Sequence, residues 1–426
     1  MADDLAAVVM AGGLGTRMRS ATPKHLHPVL GRRMVDWVIA AAQEAGVRRI
    51  VVVASPDTAK LYEGREVAVQ EQSLGTGDAV RSARAALAGS TGDVLVLNGD
   101  VPALRPETIR ALLDTHTSAG AAGTVLSFEP PDPRRYGRIV RDANGNLARI
   151  VEAGDATPEE LELREVNSGI YVFAAAKLWP ALDRLEPHNV QGELYVTDTL
   201  GLLVGDGDPV AVHGAEDPSE VDGINTRVEL AAVAAALRDR INEAHMLAGV
   251  TIVDPASTWI EAGVEIEPDV TIHPHTVIRG GVRIATGAEI GPFAYVRPGT
   301  SLGEGAKIGT FVEVKATTVG ARTKIPHLSY IGDAEIGEDT NVAAGNVTAN
   351  FKHTPGEPKA TTRIGSNVRT GVDNTFDAPV DIGDDTWIAA GTVITDDVPP
   401  GSLAGFPPRQ VTKEGWVYEK HGEPDS

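Results

Sequence analysis

Residues 260–314 read IEAGVEIEPDVTIHPHTVIRGGVRIATGAEIGPFAYVRPGTSLGEGAKIGTFVEV, and every sixth position is aliphatic: Ile260, Ile266, Ile272, Ile278, Ile284, Ile290, Val296, Leu302, Ile308 and Val314. An interval of six fits neither the 3.6-residue turn of a helix nor the two-residue alternation of a strand. It is the period of a hexapeptide β-helix, in which each unit supplies one short strand and a corner. Inward aliphatics of successive coils then stack into one continuous core. The phase slips near Val319, recovers through Ile325 and Ile331, and returns as Ile382, Ile388 and Ile394. Residues 349–361, ANFKHTPGEPKAT, break the pattern and are expected to leave the coil as a loop.

Upstream of this array lies TRVELAAVAAALRDRINEAHMLA (226–248), with Leu230, Val233, Leu237, Ile241 and Ala244 at spacings of three and four and Gly249 just beyond. That is an amphipathic helix with a stop signal, and it reads as a connector. Before it, short β-rich runs alternate with helical stretches. AAVVMA (6–11), RRIVVVAS (48–55) and DVLVLNGD (93–100) read as buried strands, and MVDWVIAAAQEAG (34–46) as a helix. This order argues a mostly parallel, doubly wound sheet with ligand chemistry at the carboxyl ends of its strands. The expected fold class is therefore α/β: a Rossmann-like domain over 1–225, a connector over 226–250, a β-helix over 251–416 and a tail over 417–426.

A chain of 426 residues has material for two to three domains. Its 38 basic against 59 acidic side chains leave a net charge of −21, and no basic stripe is present to displace counterions from a polyanion, so nucleic acid is disfavoured. The absence of cysteine excludes disulfides, thiolate catalysis and Cys-based metal sites. Two acids near the N-terminus speak against a signal peptide, and no run reaches about 18 apolar residues, so no membrane span and a cytoplasmic location are expected.

Two segments carry the chemistry of the first half. GGLGTRM (Gly12 to Met18) follows the first strand directly, and its glycines let backbone N–H groups approach a phosphate, with Arg17 and Lys24 adding positive charge. A Gly-rich turn of this kind serves a tight bend as readily as a nucleotide, and no Gly-Lys-Ser/Thr ending follows. LNGDVPAL (97–104) places Asp100 at the end of a buried strand, where it either caps the next helix or holds a magnesium ion beside a triphosphate. LGTGDAV (74–80) is a second Gly-rich turn, and further turn glycines stand beside Glu152, Asn167 and Asn225.

Taken in order, from Gly12 to the KEGW of Lys413 to Trp416, these segments resemble the bifunctional N-acetylglucosamine-1-phosphate uridyltransferase / glucosamine-1-phosphate N-acetyltransferase (GlmU) family. The resemblance implies a left-handed winding of the β-helix, a homotrimer with acyl-transfer sites between subunits, and UTP and an amino-sugar 1-phosphate as substrates. It implies Gly13, Gln70, Gly75 and Thr76 as uridine contacts, Arg17 and Lys24 on the triphosphate, and Asp100 and Asn225 as Mg2+ ligands. Gly137, Glu152 and Asn167 fall on positions that hold the N-acetylated sugar. In the second half PHLSYIGDAEIG (326–337) matches the acetyltransferase centre. His327 falls on the base that takes a proton from the sugar amine as it attacks acetyl-CoA, a task suited to imidazole. Arg297, Lys315, Tyr330, Asn341 and Lys359 fall on positions that bind the amino-sugar phosphate. Without the resemblance, His327 would read as a surface turn residue and these cations as solvated coil corners.

Several positions depart from the family pattern. Asn350-Phe351-Lys352-His353 replaces the usual Asn-Tyr-Asp-Gly, Val372 stands in place of a serine near acetyl-CoA, and Pro407 in place of an arginine, with Arg409 two residues later. The stretch between the connector and Arg297 is about two coils short. In the first half Asp78 stands where histidine is frequent, and Asn98 where an aromatic is common. The acceptor pocket thus looks kept and the acyl-donor pocket altered, which leaves open a single-activity nucleotidyltransferase whose β-helix is a trimerising scaffold or takes another acyl donor.

Overall fold

The computed structural model describes residues 4–13, 15–133, 136–351, 356–405, 410 and 412–421; Lys352, His353, Pro407 and Arg409 lie outside them. The chain forms two compact units, Met1–Leu237 and Arg238–Ser426.

In the first unit the aliphatic runs become central strands. Ala6–Met10 lies between Arg49–Ala54 and Asp93–Asn98 and is parallel to both, with Met10 level with Val53 and Asn98. Such runs are apolar on every residue because both faces are covered. Val8, Val51 and Val96 enter one core with Leu178 and Leu200, while Val9, Val52 and Leu97 enter another with Val38, Ile39 and Leu112 of the helices Met34–Glu44 and Pro106–Ser118. The full order is Val210–Gly214, Gly123–Phe128, Val166–Ala174, Asp93–Asn98, Ala6–Met10, Arg49–Ala54, Glu66–Val69. The sheet is mostly parallel along this order, as expected, and one reversed strand makes it mixed. Val166–Ala174 runs antiparallel to both its neighbours, and the hairpin Arg138–Arg141/Leu147–Val151 hangs from it. The two adjacent parallel strands still end together, so Gly12 and Asp100 emerge on one edge.

The second unit is a prism of very short strands. Each strand pairs in parallel with the one a full coil later, as in Thr271↔Glu289↔Lys307↔Lys324, Val277↔Tyr295↔Glu313↔Tyr330 and Arg283↔Ser301↔Thr318↔Glu335. Three such ladders make three faces, the architecture of a parallel β-helix, consistent with left-handed winding. The aliphatic column forms its core: nine of the ten residues are buried, and Ile266 packs partly buried against them. The phase slip is one residue lost at a corner, since the coil step falls from eighteen residues (Arg283↔Ser301) to seventeen (Ser301↔Thr318) across Ala316 and Thr317. Because each coil rests on its neighbours, Ile308→Ala is expected to lower the unfolding free energy of this unit by about 2–5 kcal/mol, read from its urea denaturation.

The amphipathic helix is observed over Arg227–Leu247. In the first unit Leu237 is buried with Met18, Met34 and Ile224, with Leu230 and Val233 packed against them. In the second, Asn242 is buried and its Nδ2 donates to the carbonyls of Pro255 and Thr258, both at 3.0 Å, closing the end of the first coil. Among the described residues no helix is long and apolar enough to cross a membrane.

Candidate active sites

The turn after the first strand is shaped by its glycines. Gly15 has φ 63°, and a Cβ on it would lie 2.4 Å from Cβ of Lys24, so only glycine lets the turn close over that lysine. The lysine is buried, and its Nζ donates to Asp100 Oδ2 at 2.5 Å and to Asn225 Oδ1 at 3.0 Å. Arg17 Nη2 donates to the same Asn225 oxygen at 2.9 Å. Asn225 is aimed from both sides: its Nδ2 is spent on the Gly223 carbonyl at 3.1 Å, and its own N–H is accepted by Glu229 Oε2 at 2.6 Å. Glu229 and Thr226 form a reciprocal cap at the start of the helix that follows.

Burial, the largest influence on the Asp100 carboxyl, would raise its pKa. The Lys24 charge and its hydrogen bond are the main influences against it, and the net shift is downward. His25 is itself buried, which lowers its imidazole to about 4, so the ring is neutral near pH 7. Its Nδ1 finds no partner among the described residues.

A cavity of about 310 Å3 opens here, lined among others by Gly13, Arg17, Lys24, Gln70, Gly75, Thr76, Asp100 and Asn225. Its far wall is the second Gly-rich turn, clamped to the segment 193–197. Gly77 N–H donates to Leu194 O at 2.7 Å, and Val196 N–H donates to Thr76 Oγ1 at 3.0 Å. Gly75 (φ 111°) passes so close that a Cβ would sit 2.5 Å from Leu194 O.

Gly137, Glu152 and Asn167 form a second cluster. A Cβ on Gly137 would stand 3.2 Å from both carboxylate oxygens of Glu152, and Asn167 N–H donates to Gly137 O at 2.8 Å. Asn167 Nδ2 donates to the buried Tyr171 hydroxyl at 2.7 Å, and Thr197 Oγ1 donates to Glu152 Oε1 at 3.3 Å. Burial first, then neighbouring carboxylates, raise the Glu152 pKa against that hydrogen bond. Asn98 joins the clusters, lining the cavity while its Nδ2 donates to Ser168 O at 3.1 Å.

On the β-helix a cationic cluster surrounds Asp333. Lys315 Nζ lies 3.5 Å and Lys359 Nζ 3.9 Å from its Oδ2, and Asn350 Nδ2 donates to the same oxygen. Asn350 also reaches the Tyr330 hydroxyl at 3.3 Å, through space that a Cβ on Gly332 would fill. The direct contact with the Lys315 ammonium pushes Lys359 below its usual pKa. Arg297 pairs with Glu313 at 2.7 Å, and Glu313 is level with Tyr330 in the ladder. His327 ends the strand Lys324–His327, exposed, one corner before Tyr330.

Residues 7–198 match the model of the MobA-like NTP transferase domain. Over 462 aligned positions the chain is 43% identical to the "Bifunctional protein GlmU" of Mycolicibacterium paratuberculosis, which covers 98% of this chain and 94% of that protein. Proteins of the same name from Corynebacterium glutamicum and Streptomyces coelicolor are 45% identical over 97% of this chain and 94% of theirs. The chain belongs to the GlmU family. The alignments are longer than the chain, so its GlmU relatives carry residues that it lacks.

The structure brings most of the residues singled out by the resemblance to GlmU into three clusters and leaves His327 and Asn341 on another face of the β-helix. Gly13, Gln70, Gly75, Thr76, Arg17, Lys24, Asp100 and Asn225 share the first cavity. Asn341 lies on a different face from the lysines, bridged to Lys324 and Arg369. Phe351 and Val372, two of the departures from GlmU, are exposed. His25, Glu229, Asp333 and Asn350 are further members of these clusters. For Asp333 the available signal was its place in PHLSYIGDAEIG, three residues after Tyr330; His25 had none beyond its place next to Lys24.

Proposed function

We propose that the first unit transfers uridylyl from UTP to N-acetylglucosamine 1-phosphate, and that the second transfers acetyl from acetyl-CoA to glucosamine 1-phosphate. The observation that carries the first activity is the convergence of Asp100 Oδ2 and Asn225 Oδ1 on a single cation, the Lys24 ammonium, at the mouth of the Gly-rich turn. Two hard oxygens meeting at one point fit Mg2+, which is held by one or two side-chain oxygens and completed by substrate phosphates. Among the described residues no group of three or more His, Asp or Glu could cage a metal, in keeping with an ion that arrives with nucleotide. Magnesium held by these two residues would neutralise charge on the phosphates.

The chain's own groups do the rest. Arg17 and Lys24 face the triphosphate, the backbone of Gly12 and Gly13 admits it without Cβ obstruction, and Glu152 and Asn167 orient the sugar. The sugar-phosphate oxygen attacks the α-phosphorus in line, a new P–O bond forms, and the bond to pyrophosphate breaks, so catalysis is positioning plus charge stabilisation. In the second unit His327 accepts the proton as the amine attacks the thioester carbonyl, and the coenzyme leaves as a thiol. Two lysines held on one carboxylate suit a phosphate monoester.

A homotrimer belongs to this reading. Beside His327, the side chains of His275, Phe293, Phe311 and Leu328 form an exposed column at left-handed corners, with the first rings stacked at 4.7 and 5.2 Å. An apolar column and the separation of Asn341 from the lysines both favour a second copy completing the site. The single-activity alternative is favoured by Val372, whose side chain offers no hydrogen bond.

Asp333 organises the acceptor cluster in this reading. Asp333→Ala is expected to raise KM for glucosamine 1-phosphate about tenfold with a smaller effect on kcat, measured by thiol release. A KM that stays level or falls would mean that the carboxylate only offsets charge.

A further inference from the structure

Gln70 ends the strand Glu66–Val69, with its backbone N–H donating to Ala54 O at 2.9 Å and its side chain buried in the wall of the first cavity. Both hydrogens of its amide are committed. Nε2 donates to Gly75 O at 3.0 Å and to Asp78 Oδ2 at 3.0 Å. A carbonyl and a carboxylate can only accept, and the Asp78 carboxylate is held by Arg81 at 2.7 Å on its other oxygen. The orientation of the amide therefore follows from the chemistry of its partners, since the reversed amide would set an oxygen against two oxygens. The oxygen that remains, Oε1, lies against Gly12, where an added Cβ would stand 3.4 Å from it. Among the described residues no donor reaches it.

We propose that Asp78 is a positioning residue that locks the Gln70 carbonyl toward the nucleobase, so that the site selects a base presenting N–H there, as uracil does at N3. The inference rests on the nucleotidyl-transfer reading above and adds to it the residue that sets base choice. Cytosine carries a lone pair at N3, which would face the Gln70 oxygen with no proton between them. A buried acceptor left without a donor is the kind of mismatch that polar sites reject strongly.

The test compares kcat/KM for UTP and CTP, with N-acetylglucosamine 1-phosphate and magnesium, in the parent, Asp78→Asn, Asp78→Ala and Arg81→Ala proteins. Asp78→Asn can donate to Gln70 and so removes one of the two acceptors that oppose the reversed amide, leaving only the Gly75 carbonyl to hold it. Its UTP-to-CTP ratio is expected to fall about 10–100-fold, with CTP improving while UTP worsens. Asp78→Ala should lower the ratio as well, whereas Arg81→Ala, which removes the ion pair but keeps the acceptor, should hold it within about twofold. An unchanged ratio in Asp78→Asn, or equal losses for both nucleotides, would overturn the proposal and leave a structural role only. If the parent releases no pyrophosphate from UTP, the uridylyl reading fails by itself. Calorimetric titration of the same proteins with UTP and CTP then decides the amide lock by the same ratio.

Discussion

Pyrophosphate release from UTP and N-acetylglucosamine 1-phosphate is expected to fall about 1000-fold or more in Asp100→Ala. Asp100 is the one carboxylate among the predicted metal and phosphate residues of the first cavity, and its charge is shared between Lys24 and the place assigned to magnesium. Alanine removes an oxygen from the cation and leaves the Lys24 ammonium without its counter-ion, so two positioning functions fail together. Because they act as a unit, adding Lys24→Ala to Asp100→Ala should cost far less than the sum of the two single losses. Breaking a buried pair can also cost stability of about 3–5 kcal/mol. Circular dichroism and the thermal midpoint must therefore accompany the kinetics, with Asp100→Asn as the variant that keeps shape and loses charge. Turnover in Asp100→Ala within about tenfold of the parent would refute the metal assignment.

Thiol release from acetyl-CoA with glucosamine 1-phosphate is expected to fall about 100- to 10000-fold in His327→Ala, the range for loss of a general base. Uridylyl transfer in the same preparation should persist, because His327 lies on the β-helix unit and does not line the first cavity. The residual rate in the variant would report positioning by Arg297, Lys315, Tyr330 and Lys359. If the parent itself releases no thiol, the single-activity reading stands, and the altered side chains Phe351 and Val372 become its explanation.

The β-helix was legible because its period is imposed by burial: one aliphatic per strand must reach a common axis, and no other regular structure asks for that spacing. The loss of a residue near Ala316 showed as a phase slip for the same reason. The direction of Val166–Ala174 was not legible, since VNSGIYVFA is buried on both faces and a central strand reads alike whether its neighbours run with it or against it. Arg17, Lys24 and Asp100 stood out because charges and glycines at strand ends are costly unless used, and the structure sets all three around one cavity. Glu229, Asn350 and His25 were missed because their meaning lies in partners contributed by other segments. The amide of Asn350 is ordinary until Tyr330 and Asp333 are brought beside it by coiling.

Coil-upon-coil stacking also bears on how such a chain can change in length. Among the described residues the strand ladders run from each rung to the rung above and below, so a whole rung can be gained or dropped upstream of Tyr295 without altering the spacing of Arg297, Lys315 and Tyr330. Deleting one whole strand with its corner would instead move each later side chain onto another wall of the column, whereas the single residue lost near Ala316 is absorbed at its corner. Lineages that shorten or extend this half are thus restricted to near-integral steps, and the distance from the connector to the acyl-transfer residues behaves as an adjustable pedestal rather than as part of the catalyst.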